Sequence, residues 1–234
     1  MSIIDWIPPV LQAFPDPSVG SAHPPAGRAD PSAGSADPPA GSADPLVAIA
    51  SLPFEAILQR RAAQLLQQQR SCNRIRQPVS VVGPREATDA QLACALRVGC
   101  VLGAVRVPVV CGGKHGVMAA VSEGVSRSGG LVIGLLPEGD TSLANPHLTV
   151  ALPTGLGITR NALIARAARL MIAIGGGLGT TSEMALALQW GTPVFAIHDA
   201  PEVPGHRRFE SESGLLAAVF DALIHPPVSH PDGD

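Results

Sequence analysis

The sequence predicts an α/β chain: a Rossmann-like parallel sheet flanked by helices, preceded by a disordered N-terminal extension. Two observations carry the sheet. From Val79 onward, short β-branched runs alternate with helical stretches, the pattern of a parallel sheet covered on both faces. Several of those runs end in glycine-containing turns that open the next helix. A third observation carries the extension: from Asp16 to Ala50 the chain repeats every seven residues as DPSVGSA, HPPAGRA, DPSAGSA, DPPAGSA and DPLVAIA.

Each repeat has Pro at its second position, and the first four have Gly at the fifth. Both residues oppose a helix, so this heptad is no coiled coil. It buries too little apolar surface to offset chain entropy, and residues 1–53 read as a low-complexity tail. They hold five aspartates and one arginine. Residues 54–78 form an amphipathic helix and linker. Phe54, Ile57, Leu58, Leu65 and Leu66 fall on one face, Pro53 suits the first turn, and five arginines face one glutamate. Residues 79–225 are the Rossmann-like domain and 226–234 a C-terminal tail. The strand candidates are 79–82, 107–111, 131–136, 148–152, 170–174 and 193–197. Helices are expected near 89–104, 116–127, 158–168, 180–190 and 213–224.

Composition bounds the partners. Charged residues make up 15% and the net charge is −3, which argues against a broad basic surface for nucleic acid or an anionic membrane. No run reaches the roughly 18 apolar residues of a membrane span. Met1 to Phe14 carries no basic residue and contains Pro8-Pro9, unlike a secretory leader. The four cysteines form no CxxC pair and no ligand spacing with histidine. The expectation is therefore neither a disulfide framework nor a metal site, and a cytoplasmic location.

In open parallel sheets, ligands sit beyond the carboxyl ends of the strands, so the turns there are the candidate site. Gly83-Pro84-Arg85 follows the first strand and Gly112-Gly113-Lys114-His115-Gly116 the second. Gly175-Gly176-Gly177-Leu178-Gly179-Thr180-Thr181-Ser182-Glu183 follows the fifth. Glycines at a helix start let backbone N–H groups approach an oxyanion, and the helix dipole favours the charge. Thr180, Thr181 and Ser182 add hydroxyls. The turn is neither a Walker A loop nor a dinucleotide GxGxxG. Glycine is also what any tight strand-to-helix turn requires. Glu183 has two readings of equal weight: Thr180-x-x-Glu183 is a capping-box pattern, or Glu183 faces a sugar hydroxyl or leaving group. Arg160, beside Asn161, is placed to make a bidentate contact to phosphate or carboxylate. Lys114 and His115 are further anion contacts. His147, His198 and His206 read as ordinary loop residues.

Together these residues resemble the LONELY GUY-type superfamily, once labelled lysine decarboxylase-like, over roughly residues 79–197. The resemblance rests on Gly112-Gly113-x-x-Gly116-x-Met118, on Arg160, and on Gly176-Gly177-x-Gly179-Thr180-x-x-Glu183. It implies a Rossmann-like fold, usually a homodimer, with a phosphate over the GGxGT turn. In the family's hydrolases, which cleave cytokinin riboside monophosphates or AMP to base and ribose phosphate, the arginine and glutamate matching Arg160 and Glu183 are catalytic. Gly175 replaces the proline of the hydrolases' Pro-Gly-Gly, Gly157-Ile158-Thr159-Arg160-Asn161 replaces their Met-His-x-Arg-Lys, and Arg169 stands where they carry Asp. The Gly-Gly-Gly and Arg-Asn forms look more like the molybdenum cofactor carrier branch, whose members bind a phosphorylated pterin. Two functions follow. One is a binding protein for a phosphorylated nucleotide-like or pterin ligand, with no cofactor required by the sequence and the molybdenum cofactor as the ligand that branch implies. The other is a nucleoside 5′-monophosphate phosphoribohydrolase.

Overall fold

The computed structural model describes residues 56–69 and 77–225. The expected N-terminal tail (1–53), the linker after the first helix (70–76) and the C-terminal tail (226–234) lie outside the described residues. The helix expected over 54–70 is α1, Ala56–Gln69. Then come β1 Val79–Val82, α2 Asp89–Ala104, β2 Val109–Cys111, α3 Val117–Arg127, β3 Val132–Leu136 and β4 Val150–Pro153. A 3₁₀ turn, Gly157–Arg160, leads into α4 Asn161–Ala167. The chain continues through β5 Leu170–Ile174, α5 Leu178–Gln189, β6 Val194–Ile197, β7 Arg207–Arg208 and α6 Glu212–Ile224. None of the described helices is long and apolar enough to cross a membrane.

All seven strands of the described residues are parallel, in the order β4-β3-β2-β1-β5-β6-β7. The strand runs that predicted the sheet are its centre: β1, β5 and β6 are buried along their whole length. Burying both faces of a strand calls for continuous apolar residues, and these strands supply them. The exception is Ser80, whose buried hydroxyl donates to Ile164 O at 2.6 Å and ties β1 to α4. Four expected strands start later than their runs, β3 and β6 by one residue and β2 and β4 by two. Val107 and Pro108 precede β2, and β4 begins at Val150 rather than at residue 148. The helix expected over 158–168 is split into the 3₁₀ turn and α4. The two-residue β7, polar and exposed, was not expected at all.

Helices α2 and α3 approach closely because glycines line the contact. A Cβ on Gly99 would stand 2.3 Å from Val121 O, and one on Gly124 2.2 Å from Leu96 O. Thr88 caps α2: its hydroxyl accepts from Gln91 N, and Gln91 Oε1 accepts from Thr88 N. Helix α1 packs against α6 through buried Leu58, Leu65 and Leu66, while Arg61 pairs with Asp221 at 2.6 Å and donates to Ala217 O. Ile57, expected on the buried face, is 62% exposed. Because Leu66 is fully buried, Leu66→Ala should cost about 2–5 kcal/mol. Urea unfolding should show this as a lower midpoint in a single transition. An unchanged midpoint would mean that α1 is not part of the cooperative unit.

Candidate functional site

The strand order sets the site before any side chain does. β1 pairs with β2 on one side and β5 on the other, so the connections diverge there and leave a crevice beyond the carboxyl ends. The ends of β1 and β5 come together because residue 83 is glycine. A Cβ there would lie 2.6 Å from Ile174 O and 2.7 Å from Val117 Cγ1. The resulting cavity measures about 490 Å³, within the range of about 300–1,000 Å³ usual for small-molecule sites. Val82, Gly83, Pro84 and Arg85 line it from β1, and Gly112 and Met118 from the β2 side. Gly177, Gly179, Thr180 and Glu183 come from the start of α5. Pro137, Gly157, Ile158, Arg160 and Asn161 complete the wall.

Arg160 and Glu183 form the polar floor. Both are buried, and Arg160 Nη1 stands 3.8 Å from Glu183 Oε1. The guanidinium lies against Gly112, where a Cβ would come within 2.6 Å of Nη1 and 2.7 Å of Nη2. Arg160 Nε and Nη1 are buried without a hydrogen-bond partner among the described residues. Burial acts on both charges more strongly than their mutual attraction. It lowers the affinity of the Arg160 guanidinium for its proton. It raises the Glu183 carboxyl to about 7, against the pull of Arg160. A buried cation with free donors is costly to keep unless something completes it.

The glycines of the third turn fall into two groups. Gly175 and Gly176 are structural: their φ angles are +61° and +148°, and a Cβ would strike Gln91 or Thr180. Gly177 and Gly179 have no such requirement. Neither has a positive φ, and a Cβ on either would meet nothing within 4 Å. Both line the cavity, so what glycine leaves there is open backbone. Helix α5 starts at Leu178 with Gly177 as N-cap and no side chain capping it. The first N–H groups of a helix lack intrahelical partners, so this end presents donors and the positive end of the dipole to the cavity.

The capping-box reading of Glu183 is therefore corrected. α5 begins two residues earlier than expected, so Thr180 lies inside its first turn, and Glu183 faces Arg160 instead of an N-cap amide. Two of the three hydroxyls are also taken by backbone carbonyls at the helix start. Thr181 donates to Gly177 O and Ser182 to Gly179 O. Asn161 Nδ2 donates to Ser182 Oγ at 3.0 Å and so braces α4 against α5.

Of the residues singled out from the sequence, Gly83, Gly112, Arg160, Asn161, Gly177, Gly179, Thr180 and Glu183 meet at the cavity, whereas Gly113, Lys114, Gly116, Gly176 and Thr181 do not line it. Lys114 is buried and bound to Glu138 at 2.6 Å. Gly116 lets the chain pass the carbonyls of Pro84 and Arg85, which a Cβ would approach to 2.3 Å. Exposed His115 is also absent from the wall. Arg85 and Ile158 lay in segments singled out from the sequence, the first strand turn and the run around Arg160, without being named as contacts; Val82 and Pro137 were missed.

A family model described as LDcluster4: SLOG cluster4 family matches residues 76–221. An uncharacterized protein of Archaeoglobus fulgidus is 33% identical over 133 residues, 57% of this chain and 87% of that protein. A cytokinin riboside 5′-monophosphate phosphoribohydrolase of Arabidopsis thaliana is 32% identical over 125 residues, 51% of this chain. The match spans 54% of that enzyme, about half its length. Among solved structures, the molybdenum cofactor binding protein of the phototrophic bacterium Rippkaea orientalis superposes with a TM-score of 0.59 at 29% identity. The match covers 62% of this chain and 97% of that one. The molybdenum cofactor carrier protein of Chlamydomonas reinhardtii superposes with a TM-score of 0.59 at 27% identity, covering 64% and 99%.

The raised Glu183 carboxyl has a consequence for stability. A group held protonated by the fold contributes fully below its unfolded value near 4.5 and loses that contribution as pH rises through about 7. Glu183→Gln removes this dependence. Urea unfolding should therefore show the variant gaining stability relative to the parent between pH 5 and pH 8. A difference that does not change with pH would mean that Glu183 titrates as an ordinary carboxylate.

Proposed function

We propose that this chain, which belongs to the SLOG cluster 4 family, is a binding protein for a small phosphorylated ligand of the pterin or nucleotide type, with the molybdenum cofactor as its cargo. One observation carries the reading: Gly177 and Gly179 leave open backbone at an uncapped helix start, where packing and φ require no glycine. A phosphate at that point would accept from the first N–H groups of α5. Arg160, which lines the same cavity, would supply the balancing charge. Gly83 and Gly112 shape the wall, and Asn161 and Thr180, which also line it, would flank the anion.

The structural likeness supports the carrier reading: the two cofactor-binding proteins superpose over nearly their whole length. The second reading rests on Glu183. A carboxyl that titrates near 7 beside a buried arginine is suited to general acid–base work. As a nucleoside 5′-monophosphate phosphoribohydrolase, the chain would use Glu183 at the glycosidic bond and Arg160 to orient the substrate. Exposed Leu152, Leu156, Ile158 and Leu163 support a second copy of the chain as a partner. The free thiols of Cys94, Cys100 and Cys111 support a cytoplasmic setting.

Calorimetry with the molybdenum cofactor and with AMP, beside chromatography for released adenine, separates the readings. The carrier reading expects binding without base release, and loss of binding in Gly179→Asp, which places a carboxylate where the phosphate sits. Adenine release by the parent protein, abolished in Glu183→Gln, would establish the hydrolase instead.

A further inference from the structure

Three side chains distant in sequence meet away from the cavity wall. Cys94 on α2, His198 after β6 and Glu212 at the start of α6 bring one ligand atom each within 4.8 Å of the others. Thiol, imidazole and carboxylate are the ligand types that zinc and its neighbours take. The intervals of 104 and 14 residues between them match no spacing motif, so a search by local spacing passes over them.

Burial holds the Cys94 thiol protonated and hydrogen-bonded to Glu212, a bond that a metal would replace. His198 Nε2 is buried without a hydrogen-bond partner among the described residues and stands 3.9 Å from Glu212 Oε1. His198 and Asp199 are consecutive non-glycine residues with φ of 54° and 55°, a backbone that persists only when its surroundings enforce it. Gln91 helps to enforce it, donating from Nε2 to His198 O at 3.2 Å. Arg97 grips Glu212, with Nε donating to Oε2 at 2.7 Å and Nη2 to Oε1. A carboxylate has about four lone-pair sites, so this grip leaves acceptor capacity and fixes the orientation of the group. Ligating carboxylates are commonly held by such outer partners.

We propose that Cys94, His198 and Glu212 form a binding site for a divalent transition metal of the zinc type, with water in the fourth position and Arg97 as the outer partner of Glu212. The metal would bond to Cys94 Sγ, His198 Nε2 and a Glu212 oxygen, and the Cys94 thiol proton would pass to solvent. Cys94 is fully buried, whereas the side chains of His198 and Glu212 are 31% and 25% exposed. The ion would therefore enter from their side. Closing the set to metal–ligand distances of about 2.0–2.3 Å needs the two partly exposed side chains to move inward. The site lies one side chain from the glycine turn: Gln91, which holds His198, also fills the space beside Gly175.

Cobalt(II) is the probe. The full chain, stripped with a chelator, should bind one cobalt and develop a thiolate-to-cobalt charge-transfer band that excess zinc abolishes. Cys94→Ser should lose the band with its circular dichroism unchanged. His198→Asn should weaken cobalt binding about tenfold or more. If Cys94→Ser fails to fold, His198→Asn carries the test alone, because that side chain is partly exposed. A folded parent protein without the band would overturn the proposal. So would a band that survives in Cys94→Ser, or cobalt affinity unchanged in His198→Asn.

Discussion

The pairing of β1 with both β2 and β5 is the constraint on which the rest of the molecule depends. It divides the sheet into β1 to β4 on one side and β5 to β7 on the other, and the crevice opens at that division. The pairing depends on small features. Ser80 donates its buried hydroxyl to α4, and Gly83 leaves room for the carbonyl at the end of β5. A side chain at residue 83 would push the two strand ends apart and open the cavity at its base. The cavity is thus a product of strand order and one missing Cβ, to which the loops add chemistry.

That chemistry is a balance between burial and charge. Arg160 and Glu183 are near neighbours without a hydrogen bond between them, and burial works against the ionised form of each. A purely structural pair would be closed and satisfied; here two guanidinium nitrogens stay without partners. The helix N-terminus beside them is likewise uncapped. Arg160 and the start of α5 line one cavity, and neither is satisfied by a side-chain hydrogen bond among the described residues. The proposed metal site shares this character in His198 Nε2, but it is built from α2, α6 and the turn after β6.

Much of the fold was legible, because continuous apolar runs have few alternatives. β1 and β5 lie where the runs at 79–82 and 170–174 placed them. The misreadings have physical causes. Pro108 lacks an N–H, and β2 starts just after it. Gly179 in the first turn of α5 hid the true helix start, and Thr180 and Glu183 then imitated a capping box. β7 is too short and polar to signal itself. At the site, glycine positions were visible, but not which of them are structural. Gly113 and Gly116 have positive φ and are used for packing; Gly177 and Gly179 are not. The meeting of Arg160 with Glu183, and of Cys94 with His198 and Glu212, depends on tertiary contacts that spacing does not record.

On the proposed reading, open backbone at the start of α5 receives a phosphate. The most direct measurement is the amide spectrum of the ¹⁵N-labelled protein during titration with AMP and with the molybdenum cofactor. The account predicts that the amides of Leu178, Gly179 and Thr180 shift first and most with a ligand that binds, and that inorganic phosphate shifts the same amides more weakly. Shifts centred instead on Gly113 to Gly116, with the start of α5 unmoved, would contradict it.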